Sequence, residues 1–369
     1  MKFLVVTLAP TLQEEGLYYS YAPYVKEMNM WFDLADQVTI VSPTQYSDTL
    51  LKGSFKRKDL QIVSIPWISF ATPLQALKAF GASIYIFFVI LIQMRKADHI
   101  HLRCPGTISL IGCVAQIFFP KKSKTAKYAG NWDPRATQPL SYRIQKWILQ
   151  NTTLTKNMNV LVYGVWPKQT KNIKSFFTAS YRKEKILEST SRTITAPYRF
   201  LFVGSLSEGK RPLYALQLIE ALIKRGIICR LDLFGDGAER RALSTYILNN
   251  NLSEHITLHG NKSAQEVEEA YKKSHLLLLP SKSEGWPKVV AEAMFWGVIP
   301  VVTAISCVPW MLNNESRGLL LQLDLNNDVK ALQTLLMNEK ELQKLSNNGR
   351  IWSHRYTLDD FENQIKELV

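Results

Sequence analysis

Between Pro280 and Pro300 the chain reads PSKSEGWPKVVAEAMFWGVIP, and the groups there that could do chemistry are two carboxylates, a lysine and the backbone amides around a proline. The apolar run HLLLL before Pro280 predicts a buried strand, and Gly285 with Pro287 predicts a turn into a helix. Proline costs little in a helix's first turn, where an N–H has no partner to lose. The free amides of such a helix, at the carboxyl edge of a parallel sheet, carry partial positive charge and suit a diphosphate. Lys288 adds a full charge. Glu284 precedes those amides and Glu292 follows it by eight residues, so the two carboxylates can hold neutral hydroxyls on either side of the phosphates. Hexose, diphosphate and ribose come in that order in a sugar nucleotide. Two solvated surface glutamates are the alternative reading of the pair.

A second block, Phe202-Val-Gly204-Ser205-Leu-Ser-Glu-Gly-Lys210-Arg211-Pro212, runs from a strand through a glycine turn to a basic pair before a helix. Lys210 and Arg211 there fit either an anion contact or a solvated helix start. A third, Leu233-Phe-Gly235-Asp236-Gly237, also ends a strand. As a dinucleotide fingerprint it is incomplete, because Arg240 stands where the third glycine belongs, which argues against a nicotinamide cofactor.

Together these blocks resemble glycosyltransferase family 4, the group 1 enzymes of bacterial polysaccharide biosynthesis, which are retaining and have the GT-B fold. The family's signature stands here as Glu284-Gly285-Trp286-Pro287, Glu292-Ala293-Met294 and Gly297-Val298-Ile299-Pro300-Val301-Val302. The resemblance implies that Glu284 contacts the donor sugar's hydroxyls, Glu292 the ribose, and the amides around Pro287 and Lys288 the phosphates. It implies that Lys210 reaches the diphosphate from the turn at Gly204, and that Gly235 lies near the nucleotide. Arginine is frequent in the family where Ser205 stands, and this departure leaves Arg211 to share the charge role. Ile256-Thr-Leu-His259-Gly260 also fits the family, with His259 read as structural. In the first half, Asp98-His99-Ile100-His101-Leu102-Arg103 resembles the strand whose end supplies a histidine to the donor sugar. Alternation puts His99 and His101 on one side, and His101, nearer the carboxyl end, is expected to face the cleft. A core histidine is the alternative reading, and Arg103 is the competitor. Glu14-Glu15-Gly16 and the tyrosines from Tyr18 to Tyr24 read as an acceptor wall or as a packed loop.

Apolar, β-branched runs alternate with helical patterns through both halves, as βα units around parallel sheets require. Strands are expected at Phe3–Leu8, Val38–Ser42, Leu60–Ile65, His99–Leu102 and Thr125–Ala129, then at Phe200–Val203, Cys229–Phe234, Ile256–Leu258, Leu276–Leu279 and Ile299–Val302. The fold class is therefore α/β with two Rossmann-like domains, whose parallel sheets in the GT-B fold face a central cleft. The polar segment Tyr181–Pro197 is read as the linker, giving an acceptor domain over 1–195 and a donor domain over 196–349, with a final helix over 350–369 packing back onto the first.

The 369 residues carry a net charge of +14, all of it in the first half, where residues 1–195 hold 25 Lys and Arg against 11 Asp and Glu. So one-sided a field favours an anionic partner. Membrane phospholipid, a lipid diphosphate and nucleic acid all satisfy it, but no helix-turn-helix, zinc-finger or RNA-binding motif accompanies the lysines, so nucleic acid is not the expected partner. The most apolar segment, Ala79–Met94, has 16 residues, fewer than the roughly 20 that span a bilayer, and reads as a buried helix, with an interfacial helix that dips into a membrane as the alternative. The first residues read as a strand and not as a signal peptide. Cys104, Cys113, Cys229 and Cys307 are scattered and read as reduced packing residues of a cytoplasmic protein. No Asp-x-Asp, HExxH or paired-cysteine metal motif occurs, so no obligatory metal or other cofactor is expected. The sequence thus points to transfer of a sugar from a nucleoside-diphosphate sugar to a hydroxyl acceptor, read as a lipid-linked saccharide met at the inner membrane face. A nucleic-acid-binding protein and a sugar-nucleotide epimerase are the alternatives.

Overall fold

The computed structural model describes residues 1–45, 51–68 and 73–369, the side chains of 73–78 excepted. The chain forms two compact units, one of Met1–Phe176 with Glu362–Val369 and one of Phe177–Phe361. Each is built on a parallel sheet, as runs apolar on both faces dictate.

The strands of the first unit are β1 (Lys2–Val6), β2 (Leu12–Glu14), β3 (Leu17–Tyr21), β4 (Gln37–Ser42), β5 (Lys52–Ser54), β6 (Gln61–Ser64), β7 (His99–Cys104), β8 (Ser123–Tyr128), β9 (Met158–Tyr163) and β10 (Ile173–Phe176). Its main sheet has the order β10-β9-β8-β7-β1-β4-β6, and β2-β3-β5 form a small second sheet. Its helices are α1 (Ala22–Phe32), α2 (Pro73–Lys96), α3 (Thr107–Ala115) and α4 (Leu140–Gln150). The second unit has β11 (Tyr198–Val203), β12 (Cys229–Phe234), β13 (Ile256–Gly260), β14 (Leu276–Leu279), β15 (Ile299–Thr303) and β16 (Leu319–Leu321) in the order β13-β12-β11-β14-β15-β16. Its helices are α5 (Pro212–Lys224), α6 (Arg240–Asn249), α7 (Ala264–Lys273), α8 (Lys288–Phe295), α9 (Val308–Leu312), α10 (Leu325–Leu336) and α11 (Glu339–Ser353); α12 (Leu358–Lys366) ends the chain. Both sheet orders reverse beside the unit's first strand, at β1/β7 and at β11/β14, and ligands of open α/β sheets gather at such points.

Each expected strand is present to within a few residues. The chain's division lies elsewhere than at 195, because the polar segment read as a linker is strapped to the second unit. Ser189 Oγ donates to Phe295 O at 2.6 Å, and Arg192 Nη1 donates to Tyr271 O and Trp296 O, each at 3.1 Å. At the other end α11 also stays with the second unit, where Ser346 Oγ donates to Gly297 O at 2.6 Å, so that Glu362–Val369 alone return to the first.

Two further expectations are corrected. α2 is not a core helix: Ala79, Ile86, Ile90 and Met94 are buried on the sheet, but only 22% of its most apolar window is inside the protein. The basic excess is also partly internal. Lys124 and Lys127 lie at 1% and 0% exposure, because alternation on β8 sends them to opposite faces of a sheet that is covered on both. Lys124 Nζ donates to Phe119 O at 2.9 Å, and burial lowers its pKa to about 8.

Lys127 shares the carboxylate of Glu27, on α1, with Arg103 of β7; its Nζ lies 2.9 Å from Glu27 Oε2, and Arg103 holds Oε1. Burial by itself would raise the Glu27 pKa, but the two cations outweigh it and hold the carboxyl down to about 2. Removing one partner of a buried charge cluster strands the others, at a cost of about 3–5 kcal/mol. Glu27→Gln is therefore expected to lower unfolding free energy by that order in urea titrations. The folded pKa lies below the ordinary value of 4.5, so the carboxylate's contribution is complete above pH 4.5 and declines as pH falls towards about 2. The variant's deficit should shrink over that same window.

Candidate functional site

The second unit's sheet brings two sequence blocks together. β11 and β14 are parallel neighbours, with Phe200 opposite Leu276, so the loops that leave their carboxyl ends emerge side by side. Lys210, in the loop after β11, pairs with Glu284, in the loop after β14, and neither side chain is fully open, at 28% and 11% exposure. The backbone laces the same loops: Lys282 N donates to Gly209 O at 2.7 Å, and Arg211 Nη1 donates to Pro280 O at 3.2 Å. Arg211 holds a left-handed φ of 50° as it caps α5, which turns the chain just after Lys210.

Pro287 caps α8 one position ahead of the place expected for it. Its carbonyl accepts from Val290 N at 2.9 Å and begins the helical ladder, and it offers no capping side chain to the first-turn amides. The amino end of such a helix carries partial positive charge and suits an anion. Gly285 is fixed from behind, its carbonyl accepting from Ser306 Oγ at 2.9 Å and Cys307 Sγ at 3.2 Å. Burial pushes the Cys307 thiol up to about 12, so this cysteine is a packing and anchoring group and no nucleophile. Trp286 is buried against Trp352, Tyr356 and Trp310, which anchors the turn between Gly285 and Pro287. Glu292, on the second turn of α8, accepts from Tyr271 OH at 3.1 Å and is also bonded by Ser180.

Comparison with known proteins accounts for this construction. Residues 184–352 match the model of the glycosyl transferases group 1 family. This part of the chain is a group 1 glycosyl transferase domain. Over 141 residues the chain is 33% identical to an uncharacterized glycosyltransferase of Methanocaldococcus jannaschii, covering 38% of this chain and 39% of that protein. It is 29% identical to the Escherichia coli UDP-Gal:alpha-D-GlcNAc-diphosphoundecaprenol alpha-1,3-galactosyltransferase, over 46% of this chain and 43% of that one. The chain thus matches less than half the length of either. Among solved structures, Anabaena HepE in complex with UDP superposes with a TM-score of 0.67 over 99% of this chain and 98% of that one, at 13% identity. Sucrose-phosphate synthase of Thermosynechococcus elongatus does so at 0.63 over 100% and 98%, at 15% identity. The α/β architecture of the whole chain is thus that of GT-B glycosyltransferases.

Within the group 1 domain, Lys210, Arg211, Glu284, Gly285, Pro287, Lys288 and Glu292 sit on the two loops and the helix that meet at β11/β14. Gly204 and Gly235 lie on the neighbouring turns, where the backbone itself explains them. A Cβ on Gly235, at φ 134°, would stand 1.9 Å from Gly204 O, so the turns after β11 and β12 touch backbone to backbone. His259 bonds Asp232 at 2.6 Å and stacks on Phe234, a structural arrangement.

His101 belongs to the first unit, and the expectation that it opens to a cleft is corrected. It pairs with Val5 and lies three residues inside the end of β7, at 0% exposure, with Nδ1 2.8 Å from Thr125 Oγ1 and its ring against Phe3 and Trp31. Burial and then the Arg103 charge hold its pKa well below 6.5, so the imidazole is neutral. Arg103, two residues on, is the group at the strand's carboxyl end. The sequence reading missed the supports of the site: Ser306 and Cys307 behind Gly285, and Tyr271 beside Glu292. Their separations of 21 or 22 residues fit no short motif.

Gly235→Ala is expected to cost at least about 1 kcal/mol for the backbone conformation, with the overlap on Gly204 adding about 1–3 kcal/mol. Urea unfolding of the purified variant measures it, and an unchanged midpoint would contradict the close approach.

Proposed function

We propose that the protein is a retaining glycosyltransferase that moves a sugar from a nucleoside-diphosphate sugar to a hydroxyl of a lipid-linked saccharide, in cell-surface polysaccharide assembly at the cytoplasmic face of the membrane. The observation that carries this reading is the Lys210–Glu284 pair beside the α8 amino terminus, at the switch point of a group 1 domain. The name of the E. coli relative, which joins a UDP-sugar to a diphosphoundecaprenol-linked acceptor, supports the donor and acceptor classes. The family signature supports retention.

In this reading the diphosphate enters between the α8 amides and Lys210 and draws the ammonium away from Glu284. The freed carboxylate accepts hydrogen bonds from sugar hydroxyls, and Glu292, already oriented by Tyr271, accepts from the ribose. As the bond from the anomeric carbon to the diphosphate breaks, its electron pair leaves with the diphosphate. The acceptor oxygen bonds to the anomeric carbon and passes its proton to the departing diphosphate oxygen. Negative charge therefore grows on the diphosphate, where Lys210, Arg211, Lys288 and the helix amides stabilise it without a metal. His101, being sealed, takes no direct part. The nucleic-acid reading loses ground because two of the clustered lysines, Lys124 and Lys127, are internal.

Lys210→Ala and Glu284→Ala are each expected to cut turnover by at least about a hundredfold, the order lost with a charge-stabilising group, while circular dichroism stays unchanged. Near-normal turnover of either folded variant would overturn its role. Activity should persist in excess chelator. A thermal-shift screen of UDP-, GDP-, ADP- and dTDP-sugars identifies the donor, since a ligand at 100 times its Kd adds about 2.7 kcal/mol of stability. Release of the sugar with altered ring stereochemistry and no transfer would favour the epimerase.

A further inference from the structure

The helices α2, α3 and α4 follow β6, β7 and β8 in turn and pack side by side, α2 on α3 and α3 on α4. Parallel crossovers of one hand place such helices on one face of the sheet. Their inner sides belong to the first unit's core, where Ile86, Ile90 and Met94 of α2, Ile108 of α3 and Ile148 of α4 are buried. The outer side of this layer is unusual in two ways.

It is apolar. Along α2, Phe80, Ile84, Phe88 and Ile92 recur every fourth residue and are exposed at 67%, 48%, 58% and 54%. At 1.5 Å per residue they make a stripe about 18 Å long. Phe118, just past α3, is exposed beside this helix, its ring 6.1 Å from that of Phe87. On α4, Leu140, Ile144 and Trp147 are exposed in a second stripe. Monomeric soluble proteins rarely leave so much contiguous apolar surface uncovered.

It also lacks acids. None of α2, α3 and α4 contains Asp or Glu, whereas Arg95 and Lys96 at the end of α2 and Arg143 on α4 are exposed. Lys122 Nζ donates to Arg95 O at 2.8 Å, which brings the loop bearing exposed Lys121 to the same end of α2. The acid that follows α2, Asp98, is engaged by the Lys2 amide at 2.7 Å.

α2 is long and apolar enough to cross a bilayer by composition. The sheet forbids it. β6 and β7, which the helix joins, lie in one parallel sheet, and the helix's inner residues are packed in that sheet's core. A spanning helix would have to leave both. A helix fixed along one side and apolar with basic ends on the other suits the interface of an anionic bilayer, its axis in the membrane plane. We propose that the outer face of the α2–α3–α4 layer seats in an anionic lipid surface, with Phe80, Phe88, Phe118 and Trp147 entering the lipid and Arg95, Lys96, Lys121 and Arg143 meeting the headgroups.

The test is sedimentation of the full chain with vesicles, without donor or acceptor, so that its result stands apart from the proposed reaction. Phosphatidylglycerol-containing vesicles are compared with pure phosphatidylcholine, at low and high salt. Binding is expected to be at least tenfold stronger to the anionic vesicles and to weaken with salt. Phe88→Ser with Trp147→Ser, both exposed positions, should lower it at least tenfold at low salt while thermal unfolding is unchanged. Arg95→Gln, Lys96→Gln and Lys121→Gln together should remove the salt-sensitive part. Equal binding to both vesicles, no binding at low salt, or no loss in the Phe88/Trp147 variant would overturn the proposal. So would a chain that is dimeric by sedimentation equilibrium and becomes monomeric in that variant, since the face would then belong to a second copy.

Discussion

The parallel pairing of β11 with β14 is the constraint on which the site depends. The order of the second sheet reverses there, so the loops after these two strands diverge to opposite sides and leave a crevice at their roots. Lys210 and Glu284 come from those loops and meet across 74 positions of sequence. Everything else at the site keeps the loops in register with that meeting: the Lys282–Gly209 backbone bond, the Arg211 contact to Pro280, and the Ser306 and Cys307 bonds to Gly285. The ion pair is partly shielded from water, and each of its members satisfies the other.

Glycine at the neighbouring turns has a different cause from the one a phosphate-binding motif suggests. The turns after β11 and β12 approach until Gly204 O would touch a side chain on Gly235, and Leu206 N and O bond to Asp236 O and Glu239 N at 2.9 Å. The residue type is set by backbone packing that shapes the crevice wall. A motif that looks like ligand recognition can thus record the closeness of two loops.

In the first unit the electrostatics run inward as well as outward. The net positive charge of the sequence is divided between a buried cluster, where Glu27 lies between Arg103 and Lys127, and exposed cations around an apolar helical layer. The buried cluster is tolerable because the carboxylate is shared and Lys127 also lies over the rings of Tyr163 and Phe176, at 5.6 and 5.1 Å. A charge count treats these cations as equivalent. Their environments make some of them internal braces and others an exposed rim around the helical layer.

The sequence by itself determined the α/β alternation and each of the strands it was asked for, and it singled out residues from Lys210 to Glu292 that the structure gathers at one switch point. Those signals are local: apolar runs of strand length, a glycine or proline at a turn, a charge at a fixed offset from a helix start. What lay beyond it was set by contacts between distant segments. Tyr181–Pro197 looks like a joint because it is polar, yet Ser189 and Arg192 strap it to the second unit through carbonyls far along the chain. His101 and Arg103 alternate to the same face of β7, and only the depth at which β1 and α1 cover that face decides that the histidine is sealed. Lys124 and Lys127 count as surface charge until Phe119 and Glu27 receive them inside. Ala79–Met94 is equally apolar on all sides, and the tertiary structure alone decided which side it buries, because one sheet can cover only one face of a helix.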